Sequence, residues 1–430
     1  MPILNSLISS SIISKLISLG FKTEPSLTIT ENTSDAANGT FGHALSVSDQ
    51  HIVVGSPRLF PLSDITIPAV QVYDFSGSEL FTLYNPSVGN TAYTSFGNSV
   101  GVANNYIIVG DSNYIANSTH RPGRAYVYNT ANGAVLYTLD NPNSYGNAND
   151  EFGYAVAISS QYAVVSAIGE DVTGGGIQPE GIDQGIAYVY NTANGALLYT
   201  LNNPGASDSS YTAENFGFNV AITNTHIVIS SPFEDNTVVG PDNNFGVVYV
   251  YSTANGSLLY DIPNPVYPLP DGDLGEFGRA IGASPSYLII GHPTRGEFDS
   301  GHARLYSISN GSLLYTFTNP NDTNNAYTSP GKYDKFGFSV AVTEQFAIVS
   351  APFTESSLAE ANNTGRVYVY STANGSLLHT FTNPYASVNT SLYGNFGYGV
   401  SITPSGSKIV VTRQNLYGPE RPGNIYLYSK

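Results

Sequence analysis

A Phe-Gly pair recurs seven times along this chain, at Phe41, Phe96, Phe152, Phe216, Phe277, Phe336 and Phe396. Successive copies are separated by 55, 56, 64, 61, 59 and 60 residues. This period constrains the fold more than any other feature. One unit of an array cannot bury its own apolar face and must stack on its neighbours. The 430 residues are long enough for about three ordinary domains. The repeat instead makes residues 24–430 a single body, preceded by a different segment at 1–23.

Each unit holds four short runs rich in β-branched and aromatic residues, bounded by Asn, Gly, Ser and Pro. After Phe152 they are YAVAIS, YAVVSA, IAYVYN and ALLYTL. Such runs read as strands. Leu27-Thr28-Ile29-Thr30, ahead of the first Phe-Gly, looks like the last strand of a unit whose beginning is missing. The final unit stops after GNIYLYSK, without its fourth strand. The two fragments make one whole unit, which is how a ring is closed. The expected fold is all-β: a seven-bladed β-propeller of four-stranded blades, its last blade completed by the N-terminal strand, with a short N-terminal helix.

The first strand carries a size pattern suited to the axis of a ring. Leu45, Val100, Val156, Val220, Ile281, Val340 and Val400 stand four residues after each Phe, flanked mostly by Ala, Ser or Gly. An innermost strand must be narrow on one face. The Gly after each Phe is expected to supply a backbone angle or a close approach that a Cβ would block.

Loop lengths separate two faces. First and second strands are joined by tight turns such as Ser160-Gln161, and third and fourth by Thr-Ala-Asn-Gly, as at Thr192 to Gly195. Asn-Gly tolerates the positive φ of a tight hairpin. Strands alternate in direction, so these turns share one face and all the long connections share the other. Recognition is assigned to the long-loop face, since binding residues gather on loops held by a rigid scaffold. Tyr93, Tyr145, Tyr211, Tyr267, Tyr327 and Tyr385, in the blade-to-blade loops, are the candidate contacts to a sugar or protein surface. Their recurrence in nearly every unit also suits packing within the loops themselves.

In the N-terminal segment, Ile3, Leu4, Leu7, Ile8, Ile12, Ile13, Leu16 and Ile17 fall at helical spacing on one face, with serines on the other. The segment lacks positive charge ahead of its apolar run and a small-residue cleavage site after it, so it does not fit a secretory signal. It is short and Ser-rich for a membrane span. A docking helix into a larger assembly and a helix covering one end of its own domain are the two expectations.

Composition narrows the chemistry. The chain has no Cys and no Trp, with 32 Asp+Glu against 15 Lys+Arg. No disulfide or thiolate metal site is possible, and nucleic acid, which needs a basic stripe, is excluded as a partner. Glu170-Asp171, Glu234-Asp235 and Asp271-Gly272-Asp273 with Glu276 are acidic clusters in long loops. They suit solvated turns, with loop calcium as the alternative. His292, Glu297, Asp299 and His302 form the one His/carboxylate group, with the two histidines expected to meet at the base of a loop. Surface substitution is the plainer reading of it than a metal or catalytic site.

These residues resemble FG-GAP repeats, the family best known from the seven-bladed headpiece of integrin α-subunits. The matching pieces are Phe-Gly with its small/aliphatic strand, then Ile52 to Pro57, Ser230 to Pro232 or Ser350 to Pro352, then G-x-V/A-Y-V-Y. The Thr-Ala-Asn-Gly-x-Leu-Leu-Tyr-Thr variant also looks like repeats of marine bacteria and their phages. The resemblance implies adhesion and recognition of protein or glycan, without catalysis. It carries over no metal site, because the first-to-second connections here are too short for the calcium loop of integrin repeats. The expected function is that of a non-enzymatic phage virion surface protein, in a tail, fibre or capsid projection. It would be multi-copy, docked to other virion proteins through residues 1–23 and facing a host glycan or protein. A secreted or cell-surface bacterial adhesin is the alternative, and a propeller lyase or glycosidase using His292 or Asp299 the third.

Overall fold

The computed structural model describes residues 20–31, 40–57, 68–86, 94–113, 122–143, 149–170, 184–205, 214–234, 245–265, 276–294, 300–321, 334–357, 360–384, 394–414 and 423–430. They build seven four-stranded antiparallel sheets arranged as the blades of a propeller. In blade 3 the strands Phe152–Ile158, Tyr162–Ala167, Ile186–Asn191 and Leu197–Asn202 run from axis to rim in chain order. The long second-to-third connection of blade 6 adds a hairpin, Glu355–Ser357 against Glu360–Asn363.

The ring closes as the split unit requires. Leu27–Thr30 is the outermost strand of the last blade, beside Asn424–Ser429. Leu27 stands opposite Leu427, and Thr30 opposite Asn424. The Thr412 hydroxyl donates to the carbonyl of Gly42 at 2.9 Å, tying blade 7 to blade 1.

Each Phe-Gly is the inter-blade wedge. Phe152 is fully buried among Ala125 and Val127 of the preceding blade and Tyr188 and Tyr190 of its own. Its ring centre lies 5.7 Å from that of Tyr188 and 6.4 Å from that of Tyr190. Burying such a ring contributes about 1.5–3 kcal/mol. The Gly beside it does two things. Glu151 (φ 56°) and Gly153 (φ 93°) form a turn closed by the Tyr154 N–H donating to the Glu151 carbonyl at 3.0 Å. A positive φ at the third position of such a turn belongs to Gly. A Cβ on Gly153 would also stand 2.2 Å from the carbonyl oxygen of Arg124 in the preceding blade.

The short-turn face is stitched from blade to blade. The Tyr199 hydroxyl donates to the Ala254 carbonyl at 2.8 Å, and Tyr315 to that of Ala373 at 2.9 Å. Both acceptors sit in the Thr-Ala-Asn-Gly turn of the next blade. A register shift at Val189/Tyr190 opens the fourth strand just after that turn. Leu197 and Leu198 are consequently both exposed, and the same pair recurs at Leu258 and Leu259 and at Leu377 and Leu378.

Blade 7 has no third-to-fourth turn, because the two chain ends meet there. Phe21 packs at the junction with blade 6. It meets Phe346 edge-on at 5.5 Å and Phe381 at 6.3 Å, with the Lys430 ammonium 4.3 Å from the Phe346 ring centre. Ile3, Leu4, Leu7, Ile8, Ile12, Ile13, Leu16 and Ile17 lie outside the described residues.

Candidate binding site at the axis

The turn at each Phe-Gly aims the next side chain at the axis. These seven residues are His43, Asn98, Tyr154, Phe218, Arg279, Phe338 and Tyr398. All are half-buried, and together with the first-strand residues behind them they line a cavity of about 390 Å³. First strands begin at the blade-to-blade loops, so this ring lies at the long-loop end of the axis.

Two runs of rings stand around the hollow. Phe338, Tyr398 and His43 follow one another with centre separations of 5.2 and 6.0 Å. On the other side Tyr154 lies 5.5 Å from Phe218, and the Arg279 guanidinium is 5.2 Å from the Phe218 ring centre. Phe218 and Phe338 also meet Phe233 and Phe353 edge-on at 5.6 and 5.7 Å, extending both runs toward the second-to-third loops.

Asparagine side chains bonded to the next blade's backbone fix the spacing. The Asn98 amide donates to the Tyr154 carbonyl at 3.2 Å, and the Asn219 amide to the Arg279 carbonyl at 3.0 Å. Arg279 is paired with Glu276 at 2.9 Å, so its charge is compensated. Burial lowers the pKa of His43 from 6.5, against an opposing hydrogen bond with Asn98, so the imidazole is neutral at pH 7. Burial pushes Tyr154 up to about 12 and raises Tyr398 as well. Five of the seven mouth residues carry rings and, with the ion pair counted, the mouth is electrically neutral.

Tyr93, Tyr145, Tyr211, Tyr267, Tyr327 and Tyr385 all lie outside the described residues, as do Asp171, Asp235, Asp271, Asp273, Glu297 and Asp299. Of the described members of the acidic clusters, Glu276 does form a turn, at Phe277 with φ 43°, but Glu170 and Glu234 are not solvated turn formers. Glu170 and Glu234 are 2% and 5% exposed. Tyr249 donates its hydroxyl hydrogen to Glu234, whose pKa burial pushes up to about 7. A third-strand tyrosine thus draws the carboxyl inward. His292 and His302 do meet, directly opposite each other in one strand pair. His292 is fully buried, edge-on to Phe277 at 6.0 Å, and so occupies a core position rather than a surface one. Among the described residues no group of three or more His, Asp or Glu is placed to hold a metal ion.

The axial ring itself was readable only as a position. The residue two after each Phe is a ring-bearing side chain in five of seven units (His43, Tyr154, Phe218, Phe338 and Tyr398). Its variety of type hides it beside the regular Val and Ala columns that follow.

Comparison with known proteins agrees with this architecture. The FG-GAP repeat family model matches residues 143–190 and 330–370. No curated protein matches the chain. Among solved structures, "Crystal structure of RRP9 WD40 repeats" aligns with a TM-score of 0.57 at 12% identity, covering 95% of this chain and 100% of that one. "Structure of U3-55K" aligns at 0.55 and 12%, covering 94% and 99%. At that identity the likeness is one of fold alone. This chain, in which no Trp is present to form a WD repeat, matches the FG-GAP repeat in two of its units and builds a seven-bladed β-propeller of four-stranded blades.

Proposed function

We propose that this propeller is a non-enzymatic recognition module whose long-loop face is the contact surface. The observation that supports this best is the neutral, half-buried ring at the axial mouth, held in the turns that lead directly into the innermost strands. A rigidly presented aromatic hollow binds without reorganising, which is what recognition asks of a scaffold. The ring brings together no nucleophile, base and orienting group of the kind hydrolysis requires.

The setting we propose is a phage virion surface, with the chain in several copies joined to neighbouring virion proteins through residues 1–23. The amphipathic pattern of that segment supports docking, and Phe21 gives it a fixed root on blade 6. Copurification of the chain with intact particles, and its loss from them when residues 1–19 are deleted, is the expected result. A secreted or surface-attached adhesin is the second reading, supported by the same mouth; a mature chain lacking the N-terminal segment would favour it. In either setting, replacing Phe218 and Tyr398 by Ala should abolish attachment to target cells while leaving the β-sheet circular dichroism intact. Undiminished attachment by a folded double variant would remove the axial mouth from the function.

A further inference from the structure

We infer that the axial mouth is a saccharide subsite that takes one neutral pyranose ring. The inference rests on the recognition reading above and names the ligand class of that site.

Size and shape come first. A cavity of about 390 Å³ falls at the small end of the range for organic ligand sites, roughly 300–1,000 Å³. Its walls combine polar groups, among them Asn98, Asn219 and Ser339, with rings inclined at 51° between Tyr154 and Phe218 and 54° between Phe338 and Tyr398. Rings set at these angles surround a compact, three-dimensional guest instead of a flat one. A pyranose presents a patch of C–H groups, whose hydrogens carry partial positive charge, to the electron-rich face of an aromatic ring. Its hydroxyls need partners at the edge. The Tyr154 and Tyr398 hydroxyls lie on the two opposite runs and make no hydrogen bond to the described residues, so both are available as donor and acceptor.

Charge then separates a neutral guest from the alternatives. An aromatic hollow attracts cations, but here Arg279 already lies over Phe218 at 5.2 Å. A second cation would meet that guanidinium at close range. An anion fares no better. Arg279 is engaged by Glu276 at 2.9 Å, His43 is neutral, and the chain as a whole carries a net charge of −17. What remains favourable is a guest with no charge, an apolar face and a hydroxylated edge.

The test uses the whole chain and saturation-transfer NMR with the methyl glycosides of glucose, galactose, mannose and N-acetylglucosamine. The expected result is transfer to ring C–H protons of at least one glycoside. It should weaken at least tenfold in Phe218→Leu and in Tyr398→Ala, and persist in Tyr199→Phe on the short-turn face. Phe218→Leu keeps an apolar side chain at the site, so it guards against loss of signal through unfolding. Tetramethylammonium should show no transfer to the native chain and should gain it in Arg279→Met, where the hollow loses its internal cation. Absence of transfer to all four glycosides, or transfer unchanged in both mouth variants, overturns the inference. So does tetramethylammonium binding to the native chain. Cell attachment separates this from the broader reading. If mouth variants lose attachment while no glycoside binds, recognition stands and the partner is an apolar protein side chain. If a glycoside binds at the mouth while attachment is unaffected, the subsite stands and the broader reading falls.

Discussion

The Ser26 hydroxyl donates to the carbonyl of Leu427 at 3.0 Å, across 401 residues of chain. This bond belongs to the one sheet in which the two chain ends meet, and the ring is held shut by that sheet. Relative to a chain beginning at Gly20, one beginning at residue 32 loses the pairing of Leu27–Thr30 and leaves Asn424–Ser429 as a bare edge. It loses Phe21 as well, and the expected total is about 5–9 kcal/mol in urea unfolding. A synthetic peptide of residues 20–31 should restore most of it, because the vacated edge is a ready template for a strand.

Phe21 should matter out of proportion to its place near the chain end. It is 6% exposed and packs against two rings of blade 6. Phe21→Ala should cost about 3–5 kcal/mol, measured as a lower urea midpoint with an unchanged slope. A cost below about 1 kcal/mol would mean that the junction closes without it.

Gly153→Ala tests the wedge. The substitution meets a positive φ and a carbonyl oxygen at 2.2 Å together. It is expected to destabilise by about 2–4 kcal/mol. Gly20→Ala, with nothing within 4 Å of the new Cβ, should be neutral. Equal stability of the two variants would show that the blades can part at no cost.

Stability should fall as pH rises from acid to neutral. Burial raises Asp111 to about 7, against hydrogen bonds from the Ser95 N–H and Asn85. Burial also raises Glu234 to about 7, with Glu214 and Asp261 adding to the shift and the Tyr249 hydroxyl opposing it. Carboxyls in an unfolded chain titrate near 4. The folded state therefore binds more protons between about pH 4 and 7. Its extra stability is complete below the unfolded value and gone above the folded one. Urea midpoints should be higher at pH 5 than at pH 8 by the equivalent of ~1–3 kcal/mol per group. Glu234→Gln should shrink that difference, and an unchanged difference would place the titration elsewhere.

Much of this architecture is a matter of period and local chemistry, and it is visible in the chain. Phe-Gly marks the blades, Asn-Gly marks the tight turns, and the orphan strand Leu27–Thr30 finds its sheet because only one incomplete unit awaits it. Each of these signals is local, or is a count. The inward turn of Glu234 toward Tyr249 could not be seen in the same way. An acidic residue beside Asp235 in a long connection has the composition of a solvated loop, and only the meeting of strand end and third-strand tyrosine buries it. The pairing of His292 with His302 was foreseeable from loop length, but its burial against Phe277 was not.

The sequence by itself determined the number of blades, the strands in each, the closure and the division into a short-turn and a long-loop face. These follow from spacing, alternation and turn residues, which act over a few neighbours. Only the tertiary structure decided that His43, Asn98, Tyr154, Phe218, Arg279, Phe338 and Tyr398 form one ring. They stand about 60 residues apart and share no single residue type. What unites them is a common distance from an axis that does not exist until all seven wedges are in place.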